Sequence, residues 1–507
     1  MTNNRACSGA ISSTLIGATL LLATAARADL VISNDATQNV TCSAGVCTPT
    51  AKKAVLNVND LTAMLASGDA SVKSGNIAQD IDIKAAISWT SASRLTLDSY
   101  HSIAFEKPLT VAGSSGALTI TTSDGGSGGD FAFYGKGHVE YWDVTRDRTR
   151  LIINGNQYAL VKSSKGISGK FRRGGFDHYV ALAKSYNAAK DGVHSSPVIG
   201  KLQGIFEGLG NSISNLSIKD PNDYGVGFIG STDPYSALVR DLRLVSVNVQ
   251  ANGNAGQSWR AVGPLIGSAG TAVILVALRC SASGRVSGGE DYWVGGLVGF
   301  LQGGTISQTQ SQVMVSGANG AWTGGLVGHS DSGSILTSFA TGTVSSGTTA
   351  KTGGLVGEAD FTDISDSYST GSVLAGDGGT AGGLSGYTDQ AQWPSDIRRS
   401  YSVGHVTGGS GTLVGGLVGE DVSNSGNISD AYWDLDTSGV TDPSQGAGNI
   451  PNDPGITGLT DAQLKAALPN GFDPQVWGQN PNINDGYPYL LANPPPSGTK
   501  AISHRKR

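Results

Sequence analysis

Asp331, Asp360 and Asp389 follow one another at intervals of 29 residues, each three places past the last glycine of a Gly-Leu-Val-Gly or Gly-Leu-Ser-Gly element. Residues that recur at a fixed interval in a coiled chain come to lie above one another, so these carboxylates can stack. Stacked carboxylates repel unless they hold a divalent cation, share protons or fan out into water. Three readings stay open. Asp331, Asp360 and Asp389 form a Ca2+ site, the one cofactor the sequence suggests; they act as general acid and base on a polysaccharide; or they are corner residues bonding nearby backbone N–H groups. The adjoining outward position carries Phe300, His329, Glu358, Tyr387 and Glu420, a variety that suits a surface without one repeated chemistry. A second phase, Phe339, Tyr368, Tyr401 and Tyr432, can stack on sugars or ring on ring.

Other reactive types are sparse. Cys42 and Cys47, separated by four residues, are expected to form a disulfide in an oxidising compartment. Cys280 takes the repeat phase of Ser338 and Ser367 and reads as a buried thiol. Gly125 to Asp130 fits a calcium-binding G-G-x-G-x-D template once, whereas such sites are shared between consecutive copies; it reads as a turn. Lys162, Lys165, Lys170, Arg172 and Arg173 make a local basic cluster, either a solvated loop or a contact for an anionic surface. The chain has no H-E-x-x-H, no nucleotide-binding loop and no nucleophile elbow in a strand–turn–helix context. The reading is therefore of no enzyme, with polysaccharide cleavage by the Asp phase as the alternative.

The elements that would position these residues repeat. Gly295-Gly296-Leu297-Val298-Gly299 recurs from Gly324, Gly353, Gly382 and Gly415, at steps of 29, 29, 29 and 33 residues. The invariant places are Gly296, Leu297 and Gly299; Gly325, Leu326 and Gly328; Gly354, Leu355 and Gly357; Gly383, Leu384 and Gly386; and Gly416, Leu417 and Gly419. Two more apolar phases run in step. One is Ile274, Ile306, Ile335, Ile364, Ile397 and Ile428; the other is Val286, Val315, Val344, Val373 and Val406. Three short apolar centres per turn, with Gly, Ser, Thr and Asp between them, predict an all-β fold, a parallel right-handed β-helix whose like residues form internal ladders. A propeller blade needs about 40 to 50 residues, more than the period supplies. The glycine pair is expected to provide corners with positive φ and close backbone approach.

At these motifs the chain resembles the bacterial GLUG-motif proteins, over about 200 to 440. Phe206 to Asn211 with Ile213 to Ile218 is similar to the rung that opens such arrays. Gly458-Leu459-Thr460, Val476-Trp477-Gly478 and Gly486 to Leu490 are similar to their closing segment. The resemblance implies an exported, filamentous-haemagglutinin-like adhesin at the cell surface, although relatives of that type are often far longer. GLUG repeats also accompany some immunoglobulin-cleaving metalloproteases, whose zinc motif this chain lacks.

Along the chain, residues 1–28 read as a secretory signal peptide cleaved between Ala28 and Asp29, with Arg5, an apolar run from Leu15 to Ala25, and a small-residue end. Residues 29–140 read as an N-terminal β cap with a short helix over Asn57 to Ser67. Residues 141–199 form a connecting β region with a hairpin at Asn154-Gly155. The repeat coil follows over 200–440, a C-terminal cap over 441–492 with a helix from Asp461 to Leu468, and a basic tail over 493–507. A formal charge of −6 without a large basic patch disfavours nucleic acid. Beyond the signal no apolar run is long enough for a membrane helix. The expected partner is a host or neighbouring-cell surface, a matrix protein or a glycan, met outside the cell.

Overall fold

The computed structural model describes residues 29–144, 147–171, 179–253, 260–389, 395–422 and 427–496. Residues 1–28, where a signal peptide is expected, Arg172, Arg173 and residues 497–507 lie outside them. Asp29 opens the first strand, Asp29–Ser33.

Nearly every element is a short strand paired in parallel with its equivalent one turn away. The N-terminal part is itself a three-sided coil. Asp80–Ile83, Ile87–Trp89 and Arg94–Asp98 form one turn; Ile103–Phe105, Pro108–Val111 and Ala117–Thr121 lie in register on it. Alternating burial along these strands puts Leu95, Leu97, Leu118 and Ile120 inside a core of their own. Helix Val58–Ser67, capped by the Asn57 side chain, packs Leu61 and Leu65 on it. Cys42 and Cys47 face each other in the hairpin of Val40–Ser43 and Val46–Pro49 and are disulfide-bonded.

The repeat coil begins earlier and ends later than the motif spacing suggests. Ala159–Val161 and Tyr179–Leu182 already pair into its main sheet, and Ile456–Leu459 is its last strand. Each leucine donates its N–H to the leucine carbonyl of the next rung, from Leu297 to Leu326, Leu355, Leu384 and Leu417, at 2.8 Å each time. Ile306, Ile335, Ile364, Ile397 and Ile428 pair in register, as do Val286, Val315, Val344, Val373 and Val406. The leucine and isoleucine ladders share one core. Val373 and Val406 instead join a smaller cluster with Ala381 and Val440. One expected rung partner is wrong: Ala277, not Ile274, pairs with Ile306, because Ile266–Leu278 carries extra residues as bulges.

The glycine pair works by closeness alone. No glycine of the five motifs has a left-handed φ. A Cβ on Gly354 would lie 2.1 Å from the Gly383 carbonyl oxygen and 2.3 Å from the Ser369 hydroxyl. The left-handed corners sit two residues past each isoleucine, at Gln308, Thr337, Asp366, Arg399 and Asp430, with φ of 46 to 53°. Beside that corner runs a buried serine ladder. The Ser338 N–H donates to the Ser367 hydroxyl and the Ser367 N–H to the Ser400 hydroxyl, both at 3.2 Å. Each hydroxyl donates to the carbonyl two residues before it. Cys280 occupies this phase, its thiol 3.4 Å from the Leu278 carbonyl, which explains its burial without invoking reactivity.

Candidate functional site

Folding at the motif decides which side chains meet. A Cβ on Gly328 would lie 2.5 Å from the Val294 nitrogen, and one on Gly353 1.9 Å from the Val356 oxygen. The strand before the motif is thus doubled tightly onto the strand after it. This brings the residue two places before the first glycine beside the residue five places after it, once per rung. The successive pairs are Trp293 with Phe300, Trp322 with His329, Lys351 with Glu358, Thr380 with Tyr387, and Leu413 with Glu420. Both columns run in strict register.

The first pairs make an aromatic patch outside the main core. Ring centroids of Trp293 and Phe300 are 4.2 Å apart, those of Trp322 and His329 4.5 Å, and His329 stacks on Phe300 at 5.0 Å. Tyr224, half exposed, meets Trp293 edge-on. His329 is only 7% exposed, and neither ring nitrogen has a hydrogen-bond partner. Burial, with the nearby Lys351 charge, pushes its pKa down to about 3, so the imidazole is neutral.

The next pair is ionic. Lys351 Nζ lies 2.6 Å from Glu358 Oε2, 4.8 Å from the Trp322 ring centre and 3.6 Å from that of Tyr387. Its ammonium is therefore held by a carboxylate and two aromatic faces. Burial pushes Glu358 up to about 7 despite Lys351, with Asp389 and Asp360 adding to the rise. Two places further along the same strands, Asp331 and Asp360 pair in register. Asp389 follows in the next rung, its N–H bonded to the Ala359 carbonyl. Burial, then Asp389 and Asp331, pushes Asp360 up to about 6.

The aspartates thus do stack, and one of them takes up a proton more readily than usual. They do not gather round a point. Among the described residues no three His, Cys, Asp or Glu side chains form a group able to hold a metal ion, because equivalent carboxylates stand in line, one rung apart. The second aromatic phase is closed to sugars. Phe339, Tyr368 and Tyr401 stack in parallel at 4.7 and 5.1 Å but are fully buried. The C-terminal segment, expected as an end cap, runs back over that flank. Trp477 lies 5.9 Å from Tyr401 and donates to Asp366, Tyr401 donates to the Pro488 carbonyl, and Asn493 reaches the Thr309 carbonyl. Its helix is Asp461–Ala466, with Thr460 as cap. The lone glycine-rich loop ends in Asp130, which pairs with Arg240 and Arg279 at 2.9 Å and ties the two coils together.

The sequence reading found one column of the strip and missed the other. Trp293, Trp322 and Lys351 stand at a constant place before the motif, a signal visible only when residues are counted backwards from the first glycine.

No family model and no curated protein matches the chain. Among solved structures it is similar to a Bacteroides ovatus protein described as a "putative immunoglobulin A1 protease", at 16% identity and a TM-score of 0.42, over 66% of this chain and 93% of that one. A similarity of that degree carries no activity over. No helix among the described residues is long and apolar enough to cross a membrane.

Proposed function

We propose that the protein is an exported, GLUG-type surface scaffold, adhesin-like and without catalysis, that binds an extended glycan along the strip from Tyr224 to Glu420. The observation that carries this reading is the Trp322–His329 rung. Its indole is partly exposed and stands in line with Trp293 and the half-exposed Tyr224, a run of ring faces of the kind that a sugar's apolar face stacks on. Binding of the mature protein to arrayed glycans and matrix proteins, with Trp322→Ala as control, tests it. The substitution is expected to weaken glycan binding about tenfold, the loss of one stacking contact of about 1.4 kcal/mol. Unchanged binding by the variant would remove the strip from the interaction.

A second reading, cleavage of a polysaccharide, is favoured by one fact. Burial pushes Glu358 up to about 7 and Asp360 up to about 6, two carboxyls of one strip that can each hold a proton near neutral pH, as a general acid must. New reducing ends or unsaturated products from a bound glycan, abolished in Asp360→Asn, would favour it over simple binding.

A further inference from the structure

We propose that the joint between the N-terminal coil and the repeat coil is a latch held shut by one proton on Glu207, and that it loosens as the surroundings turn alkaline. The latch is a closed set of charged groups. Arg240 ends the repeat-coil strand Ile229–Arg240. Asp241 and Arg279 stand one rung apart at left-handed corners, in the column that continues through Gln308 and Thr337. Both guanidinium groups reach across the joint. Arg240 donates to the two oxygens of Asp130 at 2.9 Å each and to the Phe131 carbonyl at 3.0 Å, and it lies 4.2 Å from the Phe131 ring centre. Arg279 lies 2.9 Å from Asp130 and donates to the same carbonyl at 2.8 Å. On the repeat-coil side Asp241 holds both, 2.9 Å from Arg240 Nε and 2.7 Å from Arg279 Nε.

Glu207 is the odd charge. It closes strand Ile199–Glu207 opposite Arg240 in register and is fully buried. Its Oε1 accepts the Leu209 N–H at 2.8 Å. Its Oε2 is shielded from water without a hydrogen-bond partner, 3.2 Å from Arg240 Nε, whose single hydrogen is given to Asp241. Two guanidinium groups therefore face three carboxyl groups, Asp130, Glu207 and Asp241, and the set is neutral only when one carboxyl holds a proton. An excess charge in a shielded cluster is costly, and Glu207, the most buried of the three and the one with a donorless oxygen, is where the proton is held. Burial, then the Asp241 charge, pushes it up to about 8 against the pull of Arg240 and Arg279. Asp130 goes the other way: although burial raises it, Arg240 and Arg279 hold its carboxyl below the usual range. Burial raises the two other titratable groups beside Glu207, the Tyr158 hydroxyl and the Cys280 thiol, and the Glu207 charge adds to each rise, so both stay neutral. Because the folded-state value of Glu207 is raised, its contribution is complete below its ordinary value of 4.5 and is lost as pH rises through about 8. Once ionised, Glu207 competes with Asp130 for Arg240, and the bonds that cross the joint weaken.

Two backbone bonds that span the joint report its state: the Val139 N–H donates to the Leu209 carbonyl at 3.0 Å and the Tyr141 N–H to the Ala183 carbonyl at 2.7 Å. The test is hydrogen–deuterium exchange over His138–Tyr141, read by mass spectrometry across the pH range from about 6 to about 9 with exchange times scaled for base catalysis. Protection there is expected to fall about tenfold between neutral pH and one unit above the Glu207 midpoint, the factor by which ionised Glu207 then exceeds protonated Glu207. In Glu207→Gln, which has the shape of the protonated acid and never ionises, protection should stay level. The amides of the ladder from Leu297 to Leu355, remote from the joint, should keep their protection in both proteins. Asp130→Asn, a change at the partly exposed end of the set, should show at acid pH the low protection that the parent shows only at alkaline pH. No fall in the parent, or a fall that Glu207→Gln shares, overturns the proposal. A matching loss along the leucine ladder means general alkaline unfolding and overturns it as well. If Glu207→Gln does not fold, the parent's own profile decides, because a midpoint near that of Glu207 must appear at the joint and not at the ladder.

Discussion

Replacing Glu358 by Gln should make the protein less sensitive to pH between 5 and 8, and more stable than the parent at the alkaline end. The carboxyl is 4% exposed and titrates at about 7, against 4.5 for the free side chain. The folded-state value is raised, so the neutral acid is the form the fold favours. Its stabilising contribution is complete below pH 4.5 and is lost as pH rises through 7. A rise of about 2.5 units corresponds to about 3 kcal/mol, and this is an upper figure because Lys351 leaves a path to water, being 25% exposed. Glutamine has the shape of the protonated acid and never ionises. Parent and variant should therefore be nearly equal at pH 5, with the variant ahead by up to about 3 kcal/mol at pH 8. Burial raises Asp360, Asp453 and Glu207 as well, so the parent's whole profile should slope the same way. The difference between the two proteins isolates Glu358. Denaturant unfolding at pH 5, 6, 7 and 8, followed by far-ultraviolet circular dichroism, gives the comparison. Parallel profiles would mean that Glu358 is ionised and solvated in the folded protein, and would refute the burial argument for the strip.

Two further outcomes follow from the same geometry. Gly354→Ala should destabilise by about 3 kcal/mol or more, since its Cβ meets the Gly383 carbonyl oxygen rather than a side chain that can swing away; Gly200→Ala, with nothing within 4 Å, should be neutral or gain up to about 1 kcal/mol in the same melting assay. Calcium and chelator should give the same melting temperature, because Asp331, Asp360 and Asp389 align instead of converging; a rise of several degrees in calcium that Asp360→Asn abolishes would place a cation between rungs.

The core was legible in the sequence because a ladder forces like residues onto like. Leu297 to Leu417 and Ile306 to Ile428 must recur at the rung interval or lose their partners. The interval broke where Ile266–Leu278 bulges, since an added residue shifts the register without changing the composition of the strand. The reason for the glycines was read in part, close backbone approach being found and positive φ not. Left-handed corners were assigned to them, whereas Thr337, Asp366 and Arg399 adopt that conformation and the glycines answer to backbone crowding. The crowding atoms come from the motif itself and from its copy in the next rung, as Val356 and Gly383 do for Gly353 and Gly354. The place of the C-terminal segment was not legible. Trp477 meets Asp366 across 111 residues, and nothing in either stretch marks the other, so sugar stacking stayed open beside packing for the aromatic ladder it covers. Half the candidate strip was invisible for a third reason: Trp293, Trp322 and Lys351 differ in chemistry and share only a position.

That difference in chemistry is the strongest argument that the strip serves a ligand and not the fold. The corner where the two columns meet is built equally well from Ala261 with Ser268, or Leu413 with Glu420, so the architecture demands neither bulk nor charge there. Two of the rungs nonetheless carry groups that weaken a folded chain. His329 is dehydrated with both nitrogens unpartnered, at a penalty of about 1–3 kcal/mol for a lost hydrogen bond. Glu358 is ionised near neutral pH only against its burial. A small or apolar pair would relieve both penalties at no loss to the ladders behind them. Internal residues such as Leu326 and Ile335, by contrast, are the plain solution to their sites and need no external partner. Where a fold repeats one corner several times and departs from the least costly solution only in adjacent rungs, those rungs are the place at which the proposed ligand contact should be tested first. The groups that face outward there are the partly exposed rings of Tyr224 and Trp322 and the partly exposed carboxylates of Asp331, Asp360 and Glu420.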